Sequence, residues 1–95
     1  MALHKVEFWV ERGQLGSSES DRDMYMLCEE ACALLNKKDL SRRARVVKRD
    51  TWTKQRPSFQ MFYIFADIEA QSYVDALRVV EDACALAWYW TNTGD

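Results

Sequence analysis

The amino-acid sequence predicts an α+β fold: a two-layer sandwich, β-α-β-β-α, with an antiparallel sheet of strand order 1-3-2 and both helices on one face. The arrangement is ferredoxin-like but lacks a clear fourth strand. Three observations predict it. Residues Phe59 to Ile68 are apolar at both parities of a period-two pattern, which places that strand in the middle of a sheet covered on both sides. Two stretches, Met24 to Leu35 and Tyr73 to Trp90, carry apolar residues at helical spacing. The order strand, helix, strand, strand, helix suits a split β-α-β unit, whose right-handed crossover inserts the third strand between the first two.

Taken in order, Leu3 to Glu11 alternates Val6, Phe8 and Val10 against Lys5, Glu7, Trp9 and Glu11, a half-buried strand with one aromatic exception, Trp9, on its charged side. Arg12 to Glu19 reads as a loop, and Ser18 with Asp21, or Ser20 with Asp23, can cap the helix after it. Met24, Leu27, Cys28, Ala31, Leu34 and Leu35 form that helix's apolar stripe, and Asn36 with the following lysines ends it. Arg42 to Thr53 suits a strand with Ala44 and Val46 inward and Arg43, Arg45, Val47 and Arg49 outward. Lys54 to Ser58, containing the single proline, reads as a hairpin connection. Ser72 offers an N-cap to the last helix, with Asp75 favourably placed at its positive end. Tyr73, Leu77, Val80, Cys84 and Ala87 form its sheet-facing stripe, and Val79, Leu86 and Trp90 widen the apolar arc enough for a second neighbour. Residues 91–95 read as a frayed polar tail.

Ninety-five residues with 48% apolar content fit a single domain, 1–95, and exclude a disordered chain. The longest wholly apolar run, Ala83 to Trp90, is far shorter than the ~20 residues of a membrane span, and the N-terminus shows no apolar signal segment. Together with an odd count of three cysteines in helical patterns, this predicts a cytoplasmic protein with reduced, buried thiols and no membrane partner. Net charge is only −2, yet Lys37 to Arg56 carries nine basic against two acidic residues. The rest of the chain is correspondingly acidic.

No catalytic constellation emerges, and neither cofactor nor metal is expected. His4 has no nucleophile to serve and reads as an exposed strand residue. Cys28 and Cys32 are four apart, a spacing open to a soft metal with Cys84 as third ligand, but they fall on the core stripe and read as inert thiols. The carboxylate pairs Glu29 with Glu30 and Glu81 with Asp82 lie on polar helix faces. The informative surface is the sheet face away from the helices. With Phe62, Ile64 and Ala66 turned inward, Met61, Tyr63 and Phe65 face outward beside Trp9, flanked by Arg43, Arg45 and Arg49.

An apolar patch of that kind predicts a protein partner, first of all a homodimer joined sheet to sheet or at the edge of the first strand. Trp9, Met61, Tyr63, Phe65 and Trp90 are the expected interface residues of a small non-enzymatic, self-associating regulatory or accessory module. The alternative is a nucleic-acid-binding module in which Tyr63 and Phe65 stack bases while Arg43, Arg45 and Arg49 hold phosphates. A small enzyme with its site at a dimer interface is a further alternative, resting on fold alone.

Overall fold

A computed structural model describes residues 1–10, 21–41, 43–51 and 59–93 of the chain. Its elements are β1 (Ala2–Val10), α1 (Asp21–Lys37), β2 (Arg45–Thr51), β3 (Phe59–Ala70) and α2 (Tyr73–Thr93). The sheet has strand order β1-β3-β2, and both pairings are antiparallel. The doubly apolar strand therefore lies in the centre. The expected loop at 12–19, its two candidate caps at Ser18 and Ser20, and the hairpin connection at 54–58 fall outside the described residues.

Alternation along β3 fixes the layers. Phe62, Ile64, Ala66, Ile68 and Ala70 are buried towards the helices, and their register partners Val10 and Val6 on β1 turn the same way. They form one core with Met24, Leu27, Cys28, Ala31 and Leu35 of α1 and Ala76, Val80, Cys84 and Ala87 of α2. Helix α2 packs on β1 and β3 and also along α1, which accounts for its wide apolar arc. β3 runs two residues beyond the expected Ile68, because Glu69 simply takes the open face while Ala70 returns to the core. α2 likewise continues to Thr93 through part of the expected tail.

Local signals set the helix ends. The Ser72 hydroxyl accepts the Asp75 amide at 3.2 Å, and the Ser72 carbonyl accepts the Ala76 amide at 3.1 Å, so the predicted N-cap forms. α1 ends in a Schellman arrangement: the Leu40 amide donates to the Leu35 carbonyl at 2.9 Å and the Asp39 amide to that of Asn36 at 3.3 Å. This turn needs a left-handed residue, and Asp39 supplies it at φ 56°. Asn36 then brackets Ala44, accepting its amide and donating to its carbonyl, both at 3.2 Å, which anchors the start of β2 to the helix end.

Asp39 is a poor occupant of that turn. Its Cβ opposes the left-handed conformation, and its carboxylate sits at the negative end of the helix dipole. Asp39→Gly is expected to raise stability by about 0.5–1 kcal/mol, read as a higher denaturant midpoint at unchanged slope.

Two positions depart from the expected pattern. His4 is half-buried on the helix side instead of exposed: its Nε2 lies 3.2 Å from the Ala70 carbonyl, and its ring meets Tyr73 edge-on at 6.4 Å between centroids. Tyr73, assigned to the sheet-facing stripe, is 45% exposed because it is the first residue of α2 and reaches only the margin of the sheet, where His4 receives it.

Candidate interaction surface

The open face of the sheet is built by the odd positions of each strand. In register across β1, β3 and β2, one row is Glu7, Phe65 and Arg45, and the next is Trp9, Tyr63 and Val47. Met61 stands opposite Arg49, Asp67 opposite Lys5, and Glu69 opposite Leu3. The strands thus gather Trp9, Met61, Tyr63 and Phe65, four of the five expected interface residues, on one surface. Trp90 lies in α2, but its side chain is outside the described residues.

Charge and aromatic groups interlock on this face. The Tyr63 and Phe65 rings meet edge-to-face at 6.2 Å. The Arg49 guanidinium lies 5.0 Å from the Tyr63 centroid and 5.3 Å from that of Phe65, and Arg45 stands 5.7 Å from Phe65. Such contact holds each guanidinium against the rings, from where its N–H donors can reach a carboxylate or phosphate. It also occupies ring surface that a nucleic-acid base would need. Arg43 precedes β2 instead of lying in it, but lines a shallow hollow with Arg45 and Phe65.

Two exposed apolar residues mark the β1 side of this face. Trp9 is 46% exposed and Leu3 67%. Leu3 was not among the expected interface residues; its odd position in an alternating strand was the available signal. Among the described residues β1 pairs only with β3, so its other edge has no strand neighbour there.

The remaining chemistry-bearing groups lie elsewhere. Cys28, Cys32 and Cys84 are free, buried and close together in the seam between the helices. Burial first, and neighbouring charge second, push each thiol from the ordinary value of 9.0 up to about 12. Thiols held so firmly protonated are poor nucleophiles and poor metal ligands. Asp39, Asp67 and Glu69 border one hollow with Leu3, Leu40 and Ser41. No group of three or more potential ligands among the described residues is arranged to hold a metal ion. Lys48, the basic residue of β2 on the helix side, lies 4.6 Å from the Tyr25 ring on α1, and the Tyr25 hydroxyl's pKa is raised by its hydrogen bond to Glu29.

No helix among the described residues is long and apolar enough to cross a membrane. Compared with known proteins, the chain matches no family model, no curated protein and no solved structure.

Proposed function

We propose that this chain is a small, non-enzymatic, self-associating module of the cytoplasm, a regulatory or accessory protein that acts by protein–protein contact. The observation that carries this reading is the open sheet face, where Trp9, Met61, Tyr63 and Phe65 form an apolar, largely aromatic surface with Trp9 nearly half exposed. Both helices lie on the other side of the sheet, so among the described residues no layer covers this face, and a second protein chain is the usual cover. The guanidinium groups of Arg45 and Arg49, already ordered against the rings, add polar contacts at low entropic cost.

Light scattering across a dilution series tests the reading. A dimer is expected for the native chain, shifted towards monomer when Trp9→Ala and Phe65→Ala are combined. A native chain that stays monomeric at high concentration, or a double variant with unchanged mass and stability, would reject it. The second reading, single-stranded nucleic acid, is favoured by the same arginines. It requires binding that weakens as salt rises, because phosphate contacts release counterions.

A further inference from the structure

We infer that the chain pairs with a second copy of itself along the outer edge of β1, antiparallel and centred on Val6, so that two three-stranded sheets become one of six. This rests on the self-association proposed above and names its geometry.

The edge is suited to pairing. β1 is nine residues long, its register with β3 is unbroken from Ala2 opposite Ala70 to Val10 opposite Phe62, and it contains neither proline nor bulge. Long, regular edges of this kind offer main-chain donors and acceptors to another strand, and no strand among the described residues pairs with this one. What selects the partner is the side-chain pattern. Val6 is the midpoint of Ala2–Val10, so a twofold axis through it overlaps the whole strand with its copy. In that register Lys5 of each copy stands opposite Glu7 of the other, and Leu3 stands opposite Trp9. Both pairs project on the open face, where all four side chains are exposed. Opposite charges and apolar neighbours directly across a ladder are the stabilising combinations, and like charges there are destabilising.

Neighbouring registers lack this match. Keeping both copies' helices on one side of the joined sheet requires shifts by two residues. Centring on Lys5 sets Lys5 against Lys5, and centring on Glu7 sets Glu7 against Glu7. Only the Val6 register combines complete overlap with charge complementarity. It covers part of Trp9 with the other copy's Leu3, and it joins both sets of Met61, Tyr63 and Phe65 into one face, which is then the surface the dimer offers to a further protein partner.

The test is a charge exchange. Lys5→Glu alone and Glu7→Lys alone each create two like-charge pairs across the twofold axis, and each is expected to weaken self-association on the order of tenfold. An equimolar mixture of the two variants restores both attractive pairs, so heterodimers should dominate over either homodimer and recover native affinity. Lys5→Glu also faces Asp67 within its own chain, so preference in the mixture, read by native mass spectrometry, is the decisive quantity. Random pairing in the mixture overturns the edge geometry. With the native chain still dimeric, that result would move the contact from the strand edge to the sheet face and leave self-association standing. A native chain that is monomeric throughout removes both.

Discussion

Replacing Phe62 with alanine is expected to cost about 3–5 kcal/mol, whereas Phe65→Ala, three residues along the same strand, should cost about 1–2 kcal/mol. Phe62 is 1% exposed and stands in the helix-facing row opposite Val10, so truncation leaves a cavity that the packed helices fill only in part. Phe65 faces outward and is half-buried. Its removal forfeits an edge-to-face contact with Tyr63 and the cation–π contacts of Arg45 and Arg49, interactions worth about 0.5 kcal/mol each at an accessible site. Against a total stability of about 5–15 kcal/mol for a domain of this kind, the first change brings the protein close to unfolding and the second does not. Urea denaturation of both variants at a concentration too low for self-association isolates the comparison. Equal costs, or a larger one at Phe65, would mean that the two faces of β3 are exchanged.

That contrast depends on the parity of one strand, and the sequence pattern of β3 is doubly apolar, so periodicity alone left the choice open. Chain connectivity supplied the rest of what was legible: a third strand inserted between the first two must be central, but only the register with Val6 and Val10 of β1 shows that the row with Phe62 faces the helices. β1 was legible because Val6, Phe8 and Val10 share one parity with His4. The same rule placed His4 on the helix side, although its polarity suggested exposure. β2 was less legible because its helix-side positions include Lys48, whose place there depends on Tyr25 of α1. The contact of Arg49 with two rings was hidden for a different reason. Arg49 stands opposite Met61 in the register, yet its guanidinium reaches along the strand to Tyr63 and Phe65. Spacing in a sequence records which row a residue occupies and not how far a long side chain leans.

The three buried cysteines give the domain a specific alkaline weakness. Below pH 9 their thiols are protonated in the folded and unfolded chain alike, and they make no pH-dependent contribution. Above the ordinary value of 9.0 the unfolded chain ionises, while the folded thiols, with values pushed up to about 12, stay protonated. The unfolded state then binds fewer protons, so stability falls as pH rises, and the contribution is lost by the time pH passes the folded value. All three thiols act in the same direction, so the decline with pH is steeper than any one of them would give. Comparing the native chain with the Cys28→Ala, Cys32→Ala, Cys84→Ala triple variant between pH 7 and 10.5 isolates the effect. The variant starts from a lower stability because it loses core atoms, but its decline with pH should be shallower, and tyrosine ionisation common to both proteins cancels in the difference. The same burial and protonation predict that at pH 8 an alkylating reagent modifies the folded chain much more slowly than the unfolded one. Parallel pH slopes together with rapid native labelling would show that the thiols do not lie in the seam between α1 and α2, because only burial there keeps them from ionising.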